Sequence, residues 1–243
     1  MLKNMFIDSS DLLYLQENVN SVDYHMIMMD RILNGIKCYA DKYDELCEEV
    51  KDKFAFKYYG QGGREIGDYG YYTPTQILDK WLHQFSRGRL LKQPPKRGKV
   101  SFVYYYDDGH RLIMIEGGEA WLANPQDIDK TFLLYEGNEV LYLTYFKSQM
   151  LNEPPRLYSG QWVQRTEIYD CFFNVFYSST PSPAIIDSEW LYKHGDKRGI
   201  CYRCELITDS TLKRDVFEVE FGQDDVVVSA NLQRNDIVKK VQK

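Results

Sequence analysis

Two glutamates near the end of the chain could do chemistry together. Glu218 and Glu220 are two residues apart in a segment, Val216 to Phe221, whose alternation predicts a strand, so both side chains would share one face. Paired carboxylates can serve a hydrolase or hold a divalent metal in a nuclease. The lysine that normally accompanies the acids of such a nuclease is missing at fixed spacing. A solvated strand face is therefore favoured, and an enzyme with a site around Glu218, Glu220 and His194 is the alternative.

The cysteines and histidines predict neither a metal centre nor a nucleophile. Cys201 and Cys204 form a single Cys-x-x-Cys pair, whereas a zinc ribbon needs two. On a strand, residues three apart point to opposite faces, so these two thiols would be separated. His25 lies in a helical pattern and is interpreted as a polar-face histidine or a core histidine with satisfied hydrogen bonds. We expect no metal and no cofactor.

Two other segments invite comparison with phosphate sites. The run Gly60-Gln61-Gly62-Gly63 has Glu65 where a dinucleotide fingerprint needs its third glycine, and it lacks the Lys-Ser/Thr of a P-loop. It is interpreted as a loop in which aromatic rings pack closely. Between Arg87 and Lys99, six cations occur without an acid. They could bind a phosphate backbone or an acidic partner, but a solvated linker is the favoured interpretation.

The elements that position these residues begin with an amphipathic stripe. Apolar residues recur at alternating spacings of three and four from Leu12 to Phe54, which keeps them on one side of a helix. Ser21 favours a break there with a new N-cap, so one long helix and two shorter ones both remain open. Packing on the chain's own sheet is the favoured use of the stripe, and a homodimer through Val22 to Val50 is the alternative.

After Lys99 the chain has the alternation of strands almost to its end. Asp108-Gly109 and Gly137-Asn138 each separate two alternating segments and predict tight hairpins. A third pair with its turn at Asp170-Cys171 and three later strands bring the expected total to about nine. The predicted fold class is α+β, with N-terminal amphipathic helices followed by a large antiparallel β-sheet in a hairpin meander.

A change of pattern divides the chain into two regions. Residues 1–98 are predicted to be mainly helical and to pack on the sheet, with a further helix that begins at the cap Thr73 and Pro74. Residues 99–243 are predicted to form the antiparallel sheet region. One single domain is the alternative.

Composition excludes several classes of protein. The chain has 36 acidic and 30 basic residues and a formal charge of -6, so binding to nucleic acid through the phosphates is unlikely. No apolar run reaches the roughly 18 residues of a transmembrane helix. Asp8 interrupts the start of the chain before the apolar core of a signal peptide develops. The five cysteines, an odd number, fit a reducing compartment, and we expect a cytoplasmic protein.

Tyrosines and acids on the predicted strands and turns form a candidate partner-binding surface. Tyrosine offers a large contact area and a hydroxyl group at low entropic cost, and the chain has 20 of them. An acidic, tyrosine-rich surface suits a basic partner. The candidate residues are Tyr104, Tyr106, Asp107, Asp108, Tyr135, Tyr142, Glu218 and Glu220.

Two hairpin sequences resemble a known family. Residues 102–116 read FVYYYDDGHRLIMIE and residues 132–143 read FLLYEGNEVLYL. They are similar to the hairpins of small bacterial immunity proteins that accompany polymorphic or contact-dependent toxins, and the similarity covers residues 100–147. The resemblance implies a cytoplasmic, catalytically inert and often acidic protein that neutralises a cognate toxin domain by occluding its active site or a neighbouring surface.

The leading hypothesis is therefore a non-enzymatic protein that binds a basic toxin domain such as a nuclease. The alternatives are a hydrolase or nuclease with an unrecognised carboxylate and histidine site, and a structural protein that dimerises through a coiled coil.

Overall fold

The computed structural model describes residues 21–62, 72, 77, 88–150, 153–165, 169–176, 185–194, 197–208, 210–222 and 227–239. Within these residues, the elements with defined bounds are two helices followed by twelve strands. The elements are α1 (Val22–Lys37), α2 (Tyr43–Lys53), β1 (Phe56–Gln61), β2 (Arg89–Leu91), β3 (Phe102–Tyr106), β4 (Leu112–Gly117), β5 (Ile128–Glu136), β6 (Glu139–Lys147), β7 (Arg156–Arg165), β8 (Tyr169–Phe176), β9 (Ile185–His194), β10 (Arg198–Thr208), β11 (Thr211–Phe221) and β12 (Val227–Lys239). The fold is α+β and the sheet is its largest part.

All twelve strands belong to one antiparallel sheet with the order β12-β11-β10-β9-β8-β7-β6-β5-β4-β3-β1-β2. From β3 to β12 each strand pairs with the next one in the chain, which is a hairpin meander. β1 pairs with both β3 and β2. The edges of the sheet are therefore β2 and β12.

The first helix begins where the sequence predicts a new cap. The Ser21 hydroxyl accepts a hydrogen bond from the backbone N–H of Tyr24 at 3.4 Å. Asp23 in the first turn and Lys37 in the last turn complement the helix dipole. The chain then turns, and α2 begins at Tyr43. Within the described residues the stripe is thus divided between two helices.

Both helices lie on one face of the sheet, which we call the helix face. Its core residues are Phe132, Leu141, Leu143, Trp162, Phe173 and Trp190. Leu33 and Ile36 of α1 and Val50 of α2 are buried against this set. For these members of the stripe the structure shows packing on the chain's own sheet, and the part before Ser21 lies outside the described residues. A homodimer through Val22 to Val50 stays a prediction, but these buried members of the stripe are not accessible to a second copy.

The other side, which we call the opposite face, carries its own core. It consists of Phe102, Tyr104, Tyr106, Leu112, Ile115, Leu133, Tyr142, Val163 and Phe172. The two-residue period of a strand explains why neighbours such as Phe132 and Leu133 belong to different cores. Both faces of the sheet are therefore covered in its centre.

Several strand predictions need correction. Phe56–Gln61 was interpreted as a loop and is strand β1, and Arg89–Leu91 was interpreted as linker and is strand β2. The predicted turn at Asp170-Cys171 lies within β8, and β9 was not predicted. The short strands are specified by the neighbours with which they pair, which local periodicity does not show. The predicted cap at Thr73 and Pro74 lies outside the described residues.

The turn between β3 and β4 also differs from the prediction. Its residue of positive φ is His110, at 62°, and not Gly109. The His110 ring packs on the ring of Phe56 with centroids 4.7 Å apart, which holds the unusual conformation. In the β5–β6 turn Gly137 has a φ of 60°, as the first central position of a type II′ turn requires.

No helix within the described parts of the chain combines the length and the apolar character needed to cross a membrane.

Candidate functional site

Three of the predicted contact tyrosines lie in the core. Tyr104, Tyr106 and Tyr142 are 1%, 7% and 6% exposed, and they belong to the core of the opposite face. Burial raises the pKa of Tyr142 above its ordinary value. In this structure a partner cannot reach these rings, so their burial does not support the prediction that they present a contact surface. The sequence placed these tyrosines on strands but did not show that they face a core.

Two further residues of the predicted contact surface, Tyr135 and Asp107, form hydrogen bonds that stabilise the hairpins. The hydroxyl of half-buried Tyr135 donates to the carbonyl oxygen of Leu112 at 2.7 Å. The carboxylate of Asp107 is buried and accepts hydrogen bonds from the backbone N and the Nε of Arg111, both at 2.8 Å. Burial of Asp107 opposes ionisation, but these bonds outweigh it and hold the pKa of Asp107 below its ordinary value. Asp108 is exposed at the turn.

Glu218 and Glu220 are exposed like Asp108, but they lie far along the sheet on β11. Their register partners on β12 are Asn231 and Ser229. The predicted shared face is confirmed, because both side chains are exposed and alternate with the buried residues of β11. Glu220 accepts a hydrogen bond from the Ser229 hydroxyl at 3.0 Å. Since the bonding partner is a neutral hydroxyl, the negative charge of Glu220 is not neutralised by it.

The backbones that carry His194 and Glu220 are separated by an intervening strand. His194, Arg198 and Glu220 follow one another across β9, β10 and β11 in register. Adjacent strands are about 4.8 Å apart, so the backbones of His194 and Glu220 lie about 10 Å from each other with Arg198 between them. Within the described residues no group of three or more histidine, cysteine or acidic side chains could hold a metal ion.

The cysteines occupy separate places in the core. Cys201 packs with the opposite-face residues Leu191 and Phe217, whereas Cys204 packs with Val22. The prediction that a Cys-x-x-Cys pair on a strand points to opposite faces is confirmed. Burial raises the pKa of the Cys201 thiol and raises that of Cys204 to about 12, so both stay protonated at neutral pH.

The strand beside Glu218 and Glu220 is an open edge of the sheet. β12 has 13 residues and pairs with β11 along its length. Among the described strands none lies on its other side. In an antiparallel ladder, alternate residues direct their N–H and C=O groups to each side, so about half of the residues of β12 offer unpaired backbone groups at this edge.

The side chains of β12 leave this edge unprotected in its middle. Residues 228–233 carry no charge, and the exposed aliphatic side chains of the strand include Leu232 (43%) and Ile237 (53%). Proteins usually protect an edge with charged residues. The first charged residue, Arg234, is held by Asp236 at 2.6 Å, and Asp236 also binds Arg214 at 2.6 Å.

The other edge of the sheet is protected. β2 has only three residues, Arg89–Leu91, and Lys92, Pro94 and Pro95 follow it. A short strand with cations and prolines offers few groups to a further strand. The asymmetry between the edges singles out β12. We call its backbone, with the side chains of Val228, Leu232 and Ile237 and the neighbouring Glu218 and Glu220, the β12 edge.

The sequence revealed only part of this strand. The last of the three later strands is expected from the sequence only over Val226 to Ala230, whereas β12 continues to Lys239. The missed residues are mostly polar because both faces of an edge strand can be solvated, so they lack the alternation of a half-buried strand. Two shifts of register between β11 and β12, at Val216/Phe217 and at Glu220/Phe221, obscure the alternation further.

Comparison of the chain with models of protein families, with curated proteins and with solved structures finds no significant match.

Proposed function

We propose that this chain is a non-enzymatic binding protein, an immunity-type inhibitor that neutralises a cognate basic toxin domain such as a nuclease. The observation that carries the proposal is the open β12 edge. An extended segment of the toxin domain adds a strand beside β12 and satisfies the free backbone groups. Val228, Leu232 and Ile237 contact the side chains of that segment and contribute affinity.

The charge of the chain favours a basic partner. The net charge is -6, and Glu218 and Glu220 place two exposed carboxylates one strand away from the edge. Such complementarity accelerates encounter and rejects partners of the wrong sign. The helix α2 adds further exposed carboxylates, such as Asp44 and Asp52. The resemblance of residues 100–147 to immunity-protein hairpins points to the same class of partner.

The proposed place of action is the bacterial cytoplasm. All five cysteines are free thiols, which suits a reducing compartment. In the same proposal the N-terminal helices have a structural role, because they cover the sheet, and the sheet presents the binding edge.

A variant with both Leu232→Lys and Ile237→Lys tests the proposal. The probe is the toxin-like protein encoded beside the gene for this chain, with binding measured by isothermal titration calorimetry. Two lysines at the edge disfavour strand addition and remove apolar contact, so the Kd is expected to rise by about 30-fold. Both side chains are about half exposed, so the thermal unfolding temperature is expected to stay within a few degrees of the wild type.

The matched control is Ile27→Lys, since Ile27 is 59% exposed but lies on α1. Its Kd is expected to equal that of the wild type. An unchanged Kd in the β12 variant would contradict the proposed edge. Absence of a toxin gene beside this one, together with no basic toxin-like protein in a pull-down from the native host, would contradict the proposed function itself.

A further inference from the structure

A basic cleft lies beside the protected edge of the sheet, at the far end from β12. It is open to solvent and has a volume of about 560 Å³. Its lining combines four cations with an apolar wall. The cations are Arg89, Lys92, Lys96 and Arg97, and the wall is formed by Leu91, Pro94 and Pro95.

Among the residues that the structure describes, no acid neutralises the cations of the cleft. Within the described residues, none of the four forms an ion pair, and the lining includes no carboxylate. The lysines of α2 contrast with them, because Lys42 and Lys53 pair with Glu45 and Glu49 on their own helix. Four uncompensated cations around one concave surface produce a positive potential in an otherwise acidic chain. This potential favours a ligand that carries several negative charges.

One of the cations is held in place by a buried side chain. Gln61 is 8% exposed, and its Oε1 accepts hydrogen bonds from Nε of Arg89 at 3.1 Å and from Nη2. Two of the five N–H donors of Arg89 are used in this way, which leaves three for a ligand. The guanidinium is therefore orientated before a ligand binds, and less entropy is lost on binding.

The same glutamine also fixes the loop that carries the other cations. Its Nε2 donates to the carbonyl oxygen of Arg97. The next residue, Gly98, has a φ of 81°, and a Cβ there would lie 2.7 Å from the Gln61 amide nitrogen. A glycine is thus required for the loop to approach Gln61 so closely. The two sides of the cleft, β2 and the loop after Pro95, are joined through one buried side chain.

The apolar wall restricts the kind of anion that fits. Pro94 and Pro95 are rigid and offer no N–H groups, and Leu91 extends the apolar surface. A volume of about 560 Å³ lies in the range of sites for small organic ligands. A bare inorganic anion would use the cations and leave the wall uncovered.

We propose that this cleft binds a nucleoside polyphosphate. The phosphates contact Arg89, Lys92, Lys96 and Arg97, and the nucleoside packs on Leu91, Pro94 and Pro95. Gln61, from the glycine-rich run noted in the sequence, contributes through its side chain. The proposal concerns a surface separate from the β12 edge and does not depend on the toxin partner.

Isothermal titration calorimetry at constant ionic strength tests the proposal on the full chain. The titrants are ATP, inorganic triphosphate, adenosine and a ten-residue oligothymidylate. ATP is expected to bind more tightly than the other three, because it alone combines a compact polyanion with a nucleoside. A variant with Lys92→Gln and Lys96→Gln is expected to raise the Kd for ATP by about 10- to 100-fold.

The matched control replaces two other exposed lysines, Lys37→Gln with Lys197→Gln, and keeps the same net charge as the cleft variant. It is expected to bind ATP as the wild type does. Equal loss in both variants would overturn the proposal, since the effect would then come from net charge. No detectable ATP binding would overturn it too, and tighter binding of the oligothymidylate would assign the cleft to nucleic acid instead.

Discussion

A Gly160→Ala substitution is expected to reduce the free energy of unfolding by about 3 kcal/mol, because it separates α1 from the sheet. Gly160 lies in β7, and a Cβ built there would be 2.6 Å from Cγ2 of Ile36 and 3.0 Å from its Cδ1. Ile36 is fully buried and branched at Cβ, so it cannot easily rotate away. Alanine normally stabilises a strand relative to glycine, which makes a large loss diagnostic of this contact.

Urea denaturation at pH 7 measures the loss, and Gly109→Ala is the matched control. Gly109 is exposed in the β3–β4 turn, and a Cβ there would meet its nearest heavy atom, Oδ1 of Asp107, at 3.4 Å. The control is expected to change the free energy of unfolding by less than about 0.5 kcal/mol. Combining Gly160→Ala with Ile36→Ala is expected to cost less than the sum of the two single changes. Additive costs would show that Gly160 and Ile36 are not in contact.

Acidification is expected to destabilise the protein through one buried histidine. His25 is fully buried, and its Nδ1 and Nε2 lie 2.9 Å from the Ser21 carbonyl oxygen and 2.9 Å from the Ser188 hydroxyl oxygen. Burial lowers the pKa of His25 from 6.5 to about 4, and the bond to Ser21 only partly opposes this. The neutral imidazole therefore joins the start of α1 to β9.

The direction of the effect follows from proton binding. Between pH 6.5 and 4 the unfolded chain binds a proton at His25 that the folded chain does not. The contribution of neutral His25 to the free energy of unfolding is thus fully present above pH 6.5. It is lost as the pH decreases, by about 3 kcal/mol in total once the pH is below 4. About 2 kcal/mol of this fall is expected between pH 6.5 and 5.

Urea denaturation at a series of pH values, with wild type and His25→Gln, isolates this contribution. Glutamine stays neutral, so the fall between pH 6.5 and 5 is expected to be smaller by about 2 kcal/mol in the variant. If wild type and His25→Gln had parallel pH profiles, His25 would not be the titrating group.

Local signals in the sequence predicted the parts of the fold that local interactions determine. Ser21 marked the start of α1 because a cap is recognisable within four residues, and Gly137 marked a tight turn for the same reason. The spacing of Leu33, Ile36 and Val50 predicted which side of the helices is covered. These features need no knowledge of distant residues.

The candidate site depended on distant pairing and was harder to predict. The sequence placed Tyr104 and Tyr142 on predicted strands but could not show that both face the same core. The importance of Glu218 and Glu220 comes from their position beside an open edge, and an edge is defined only when the order of all strands is known. The basic cleft could not be predicted from local sequence either, because its Gln61 contacts Arg97, which is 36 residues away in the sequence.

Hydrogen exchange with mass spectrometry is the most direct measurement of the proposed toxin-binding edge. Amide exchange is compared for this chain alone and with the toxin-like protein encoded beside it. We expect slower exchange in peptides from Val227–Lys239 on binding, because the free N–H groups of β12 become hydrogen-bonded to an added strand. Peptides from β7 in the centre of the sheet are expected to stay unchanged. Slower exchange confined to the β3–β4 hairpin, with β12 unaffected, would contradict the proposed edge.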